Sequence, residues 1–352
     1  MTDHATEQPQ WKFGRKGTAP LRPEGRRTLI ALAAFLGVAF VLAIAGAIYE
    51  GWQLRQTALG DGRTVESYGY DLSNLNVNRE TLVSARMLRD EQIVLHEPDV
   101  LTLAEVDSLS DHPLWPVVHD DEQVIGVVVD GEARAYPIQI MRGHEIVNDV
   151  VGGRPIAVTY SPIADSVAVF DRAVEVDGES TALRFGYSGL LSNSNLVMYN
   201  IVENSEDEGA TEDLTQVSLW SQLRMRAIAG PLAGDSADEA AELTLVPTWI
   251  GRWADWREMQ PRTTVLEAVR EQRRAYVSEP WTRYYAAGEL QFPVDRQPGT
   301  DDDRGPMDPV IIQQTADGWQ VQDGGNQDRT ADDLKPTLRT RWFAWYAIQN
   351  DE

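Results

Sequence analysis

Two hydrophobic patterns run along the chain. Near the N-terminus, Leu29–Tyr49 is an apolar run of about 21 residues without a charge, long enough to cross a bilayer as a helix. From about residue 96 the apolar positions fall instead in short β-branched runs divided by turn residues. Val124–Val129 leads into Asp130-Gly131, a pair suited to a tight turn with φ > 0, and Ala133–Pro137 returns beside it. Ile156–Tyr160 and Val167–Phe170 read as strands on either side of a turn at Ser161–Ser166. Asp177-Gly178 joins Ala173–Val176 to Ala182–Tyr187, and Asp317-Gly318 joins Val310–Gln314 to Trp319–Gln322. Leu196–Tyr199, Thr264–Leu266 and an aromatic closing segment, Trp342–Ile348, read as further strands, and Ser188–Asn195 as a Gly/Ser/Asn loop. Helical spacing is confined to short segments: Thr81–Asp90, Leu101–Ser108, Gln139–Asp149 and Trp253–Met259. The pattern predicts an α+β, mainly β fold: an antiparallel, hairpin-rich ectodomain with a few short helices, plus one N-terminal transmembrane helix.

The same pattern divides the chain. Residues 1–28 are polar and rich in Pro, Gly and Arg, the composition of a disordered tail. Residues 29–49 form the membrane span, 50–95 a stalk or connector, and 96–352 the folded ectodomain. Lys12, Arg15, Lys16, Arg22, Arg26 and Arg27 precede the span, which places the N-terminus in the cytoplasm and the C-terminal domain outside the cytoplasmic membrane, a single-pass arrangement with lipid as the span's partner. Ala43-Ile44-Ala45 also fits a signal-peptidase site, so an uncleaved anchor and a cleaved signal both remain open.

Charge narrows the partners. The net charge is −24, and residues 50–352 hold 52 acids against 25 bases. The only lysines are Lys12, Lys16 and Lys335. Nucleic acid, which needs clustered cations to displace its counterions, is excluded as a partner. The acid excess suits a strongly hydrated surface or cationic ligands. There is no cysteine, so disulfides, thiolate metal sites and cysteine nucleophiles are excluded.

Several motifs carry a resemblance: Ala133-Arg134-Ala135-Tyr136-Pro137, His144-Glu145-Ile146-Val147-Asn148-Asp149, Gly152-Gly153-Arg154-Pro155 running into Tyr160, Val169-Phe170-Asp171-Arg172, Phe185-Gly186, Leu219-Trp220-Ser221-Gln222, Ala227–Leu232 and Trp342-Phe343-Ala344-Trp345. In this order, from about His96 to the C-terminus, they resemble the prokaryotic family known as domain of unknown function 3179 (DUF3179). The family pattern has Cys-Pro-x-Cys-Gly after the tyrosine. Here Tyr160 is followed by Ser161-Pro162-Ile163-Ala164-Asp165, so whatever paired cysteines do in relatives is lost. The resemblance implies architecture and supplies no settled activity.

The densest chemistry lies in Val124–Arg172. His144 stands beside Glu145, Asn148 and Asp149; imidazole serves as a base near neutral pH or as a metal ligand, and the resemblance implies that this histidine recurs in the family motif. A catalytic set would be His144 as base, Ser161 as nucleophile, and Asp149 or Asp165 as orienter. No Gly-x-Ser-x-Gly elbow accompanies it, and a serine in a cysteine's place also serves as an isosteric filler. His144 with Asp149 and Asp165 could hold a hard or borderline metal, although no metal-binding spacing is present and no cofactor is indicated. Candidate ligand contacts are Tyr160, Ser166, Arg154, Ser188 and Asn193, with Arg154 or Arg184 for an anion. Trp249, Trp253 and Trp256 suit packing or sugar stacking. The chain is therefore expected to be an anchored, non-catalytic extracytoplasmic domain binding a small polar ligand or an envelope protein. The alternative is a serine-based or metal-assisted hydrolase around His144.

Overall fold

A computed structural model of the chain describes residues 35–46, 60–109, 118–176, 178–202, 214–272, 276, 304–315, 318–324 and 334–349. The chain divides into two units, Met1–Thr57 and Ala58–Glu352. In the first, residues 35–46 form a helix (α1) whose Phe35, Phe40 and Leu42 are exposed. No helix among the described residues is long and apolar enough to cross a membrane; the rest of the expected span Leu29–Tyr49 lies outside them.

The second unit is mainly β. Its strands begin with β1 (Leu82–Ser84), β2 (Leu95–His96), β3 (Val100–Thr102), β4 (Gln123–Val129) and β5 (Glu132–Pro137). They continue with β6 (Ile146–Val151), β7 (Arg154–Ser161), β8 (Ser166–Asp171), β9 (Ala173–Val176), β10 (Glu179–Ala182), β11 (Phe185–Ser192) and β12 (Asn195–Asn200). The last are β13 (Leu219–Ser221), β14 (Arg226–Ala229), β15 (Pro247–Arg252), β16 (Thr264–Leu266), β17 (Pro309–Thr315), β18 (Gly318–Asp323) and β19 (Lys335–Arg341). Short helices α2 (Leu103–Leu109), α3 (Ile138–His144), α4 (Trp253–Met259) and α5 (Trp342–Gln349) lie between and after them. One sheet has twelve strands, ordered β2-β6-β7-β8-β19-β15-β4-β5-β16-β3 with β17 and β18 attached at β19; a second has the order β1-β11-β12-β13-β14, and β9 and β10 pair alone. Pairing is antiparallel except at β2–β6 and β5–β16.

Strands β6–β8 are covered on both faces. Because side chains alternate along a strand, Ile146, Ala157, Ala168 and Phe170 face a core shared with Phe185, Met198 and Trp220 of the five-stranded sheet and with Trp342, Phe343 and Trp345 of α5. Their neighbours Val147, Val158, Tyr160, Val167 and Val169 face a second core. There the large sheet curls, so that Ile125, Val127 and Tyr136 of β4–β5 and Ile138, Ile140 and Met141 of α3 meet them. Two-residue turns with both central φ values positive close the hairpins at Asp130-Gly131, Gly152-Gly153 and Asn193-Ser194, the geometry that matches strand twist.

Several expected elements differ. The helix near Gln139–Asp149 ends at His144, since Glu145 takes φ 59°, and Ile146–Val151 is strand. Thr81–Asp90 supplies β1, paired with β11, rather than a helix. Ser188–Asn195 is mostly the β11–β12 hairpin rather than a loop. Trp342–Ile348 is helical, with nearly all its side chains buried; an apolar run without periodicity reads equally as strand or buried helix. From Gly60 onward the expected stalk is built into the body, with Val65, Tyr68 and Tyr70 in a core with Leu190 and Ile228. The acidic segment Glu203–Thr211 and residues 284–303 lie outside the described residues.

Gly126 of β4 faces the buried ring of Trp256, where an added Cβ would sit 2.4 Å from ring carbon Cζ3. Gly126→Ala should therefore destabilise the body by roughly 1–3 kcal/mol through overpacking. Urea unfolding followed by tryptophan fluorescence checks this; an unchanged midpoint would mean that Trp256 can move aside.

Candidate functional site

His144 is fully buried at the end of α3, and both its ring nitrogens are occupied. Nδ1 lies 2.6 Å from the Ile93 carbonyl oxygen, which can only accept, so Nδ1 carries the proton. Nε2 is then the acceptor for the Tyr276 hydroxyl at 2.9 Å, and that hydroxyl in turn accepts the Val269 N–H at 2.8 Å. Burial lowers the His144 pKa, favouring the neutral ring that this chain of bonds requires.

The serines lie on the opposite face of the sheet. Thr159 and Ser166 meet through Gln222, whose Nε2 donates to Thr159 Oγ1 at 2.8 Å and whose Oε1 accepts from Ser166 Oγ at 2.6 Å. Asn195 Nδ2 also donates to Ser166 Oγ, at 2.6 Å. Ser161 is the cross-strand partner of Ser166 and shares its face. His144 and Tyr276 belong to the other side, with Tyr276 in the core of Tyr160 and Val167. The expected serine–histidine pair is therefore not assembled, because the sheet separates its members.

Asp149 is committed elsewhere. Both its oxygens accept from Arg134 Nη1 at 2.7 Å, and Oδ2 also accepts from the Tyr136 hydroxyl at 2.7 Å. Arg134 and Asp149 are buried, so this is an interior ion pair tying β5 to β6. Arg154 pairs with Asp171 at 2.6 Å. Ser188 Oγ accepts the Leu190 N–H at 3.0 Å within the bulge of β11, and Asn193 occupies the positive-φ turn with its N–H on the Thr81 carbonyl. Among the described residues no group of His, Asp and Glu is arranged to hold a metal ion.

Asp165 and Tyr160 instead border a cleft of about 610 Å³ beside the turn at residues 162–165. Asp165 Oδ1 accepts from the Tyr160 hydroxyl at 3.0 Å and from Arg339 at 2.8 Å, while Oδ2 faces Arg341 at 2.8 Å. Burial and the Asp165 charge push the Tyr160 pKa up, which keeps the phenol protonated as a donor. Arg142 of α3 stands beside that hydroxyl. His119, Asp121, Glu122, Gln123, Gln139 and Tyr276 complete the polar lining, with Ile138 and Pro162 as its apolar members. Glu122 is largely desolvated, and its pKa is raised.

Sequence reasoning missed Arg142, Glu122, Gln139, Tyr276, Arg339 and Arg341. A signal was present in Arg339-Thr340-Arg341: arginines two apart share a strand face, an unusual placement in a chain with so few bases. Nothing local connected that strand to Asp165, 174 residues earlier.

A family model described as "Protein of unknown function (DUF3179)" matches residues 95–321. No curated protein and no solved structure matches the chain. The matched segment contains His144, Tyr160, Asp165 and Arg142, whereas Arg339 and Arg341 lie beyond it.

Two outcomes follow from these buried groups. Asp149→Asn should cost about 2 kcal/mol, because Arg134 loses its buried partner while keeping Glu132 on its outer side; chemical denaturation measures it, and a loss within 0.5 kcal/mol (roughly the range of a surface change) would contradict the buried-pair account. Glu145 is held by burial at a pKa of about 8, above its ordinary 4.5, with Gln92 as a donor at 3.2 Å. The folded state therefore keeps a proton that the unfolded chain loses. Stability from this group should be greatest below about pH 4.5 and fall as pH rises to about 8, by up to roughly 4 kcal/mol. In unfolding series across that window, Glu145→Gln should flatten the decline; an unchanged slope would rule Glu145 out as its source.

Proposed function

Since this chain belongs to the DUF3179 family, to which no activity is assigned, we propose that it is a membrane-anchored, extracytoplasmic binding domain that holds a small polar ligand without transforming it. The cleft beside residues 162–165 carries this reading. It is concave, polar and large enough for a small molecule, and its groups are fixed by the Tyr160–Asp165–Arg339–Arg341 network. The non-catalytic part rests on the saturated His144 ring and on its separation from Ser161 and Ser166. A small ligand fits better than a docked protein: the exposed large apolar side chains among the described residues of the body are Ile93, Val150, Met307 and Trp319, few for a broad interaction patch. The anchor reading rests on the uncharged run Leu29–Tyr49 and its preceding cations.

Thermal unfolding of the full chain in detergent, screened against small polar metabolites, tests the proposal. A ligand should raise Tm, Gln139→Trp should abolish the rise by filling the cleft, and mass spectrometry should recover the ligand unchanged. Turnover of the ligand would overturn the non-catalytic reading. A response indifferent to Gln139→Trp would remove the cleft as the site.

A further inference from the structure

Trp249, Trp253 and Trp256, the candidates for sugar stacking, are all buried. The exposed tryptophan among the described residues is Trp319 of β18, 38% accessible. The buried Trp345 of α5 meets it edge to face, with ring centroids 6.2 Å apart and planes at 67°, so part of the Trp319 indole stays open to solvent in a fixed setting. It borders a groove that shares no lining residue with the cleft at residues 162–165. The groove consists of two adjoining hollows, of about 230 and 330 Å³, joined along Arg224–Arg226 and Trp319. Around this ring the polar side chains are uncommitted, unlike those of β6–β8. Gln314 is the cross-strand partner of Trp319 and shares its face. Gln314 and Gln349 are exposed, and neither amide, nor the Arg226 guanidinium, has a hydrogen bond or ion pair among the described residues. Glu242, the bridge partner of Arg226, is exposed as well and makes no ion pair with it.

We propose that this groove is a second binding site and that it takes a saccharide, one ring of which stacks on Trp319. A pyranose has the two surfaces that the groove calls for. Its C–H face is apolar and flat enough to cover an indole. Its rim of hydroxyls, each both donor and acceptor, meets polar groups of every kind: the Arg226 guanidinium donates, the Glu242 carboxylate accepts, and the Gln314 and Gln349 amides do either. None of this depends on a surplus of one charge. A nucleotide would stack too, but its phosphates are repelled by a chain of net charge −24. A protein partner would require a wider apolar patch than one exposed indole. An indole already held by Trp345 loses little freedom when a ligand covers it, which favours binding. The site is additional to the cleft and does not depend on it.

Maltotriose, cellotriose, chitotriose and mannotriose, titrated into the full chain in a detergent without a sugar headgroup, supply the probes. In saturation-transfer NMR, irradiating the aromatic protons should pass magnetisation to the ring C–H protons of at least one of them. Trp319→Ala should weaken the apparent affinity for that sugar roughly tenfold or more, as expected for loss of the stacking ring, and Trp319→Phe should weaken it less. Gln314→Ala should weaken it several-fold while the unliganded protein unfolds at the parent's Tm, because Gln314 is exposed and holds nothing in the fold. Gln139→Trp, which fills the other cleft, should leave sugar binding unchanged. Transfer to none of the four sugars would overturn the proposal, as would equal binding by Trp319→Ala and the parent. If Trp319→Ala unfolds through its contact with Trp345, Gln314→Ala decides alone, and undiminished binding there overturns the site. Binding lost in Gln139→Trp would assign the sugar to the cleft at residues 162–165 and likewise overturn this groove.

Discussion

Covering strands β6–β8 on both faces is the constraint on which the rest of the structure depends. A sheet with one wet face can leave its polar side chains to solvent; this one cannot. Each polar group that the central sequence places there must find an internal partner or carry a desolvation cost of several kcal/mol. Asp149 meets Arg134 and Tyr136, Ser166 meets Gln222 and Asn195, and His144 meets Ile93 and Tyr276. The groups that look most reactive in the sequence are those most fully used in holding the fold.

The cleft escapes this constraint because it lies where the double cover ends. The β7–β8 hairpin turns at residues 162–165, β19 pairs with β8 beside it, and α3 contributes Ile138, Gln139 and Arg142 to the lining. Tyr160 and Asp165 are the last groups of the hairpin to be anchored, and Arg339 and Arg341 reach them from the far end of the chain. Arg142, one helical turn past Ile138, is exposed at the edge of the cleft. Fixed donors beside an open space are the usual condition for recognition.

Much of the β architecture was legible. Asp130-Gly131 marked its hairpin, and the short β-branched, apolar runs Ile156–Tyr160 and Val167–Phe170 marked strands, because turn chemistry and β-propensity are local properties. What was misread was decided by tertiary context. Trp342–Ile348 is apolar all round, so nothing in its spacing separated helix from strand. Val147 and Asn148 fell at helical spacing from His144, but β-branched residues after the positive-φ Glu145 continue as strand. The candidate site was half legible: Tyr160 and Asp165 were named, but grouped with His144 and Ser161 because closeness in sequence hid which face of the sheet each occupies. Arg339 and Arg341 were out of reach without the pairing of β19 with β8.

The protonation state of His144 tests the account most directly. With five histidines in the chain, nitrogen-15 NMR of the full chain, compared with His144→Gln for assignment, can follow each ring. The account predicts a His144 ring with its proton on Nδ1 that stays neutral to a lower pH than an ordinary histidine, because the Ile93 carbonyl and the Tyr276 hydroxyl hold it in that form and burial opposes its charge. A ring that titrates near its ordinary value of about 6.5, or that carries its proton on Nε2, would show an accessible imidazole and return this centre to the candidates for catalysis.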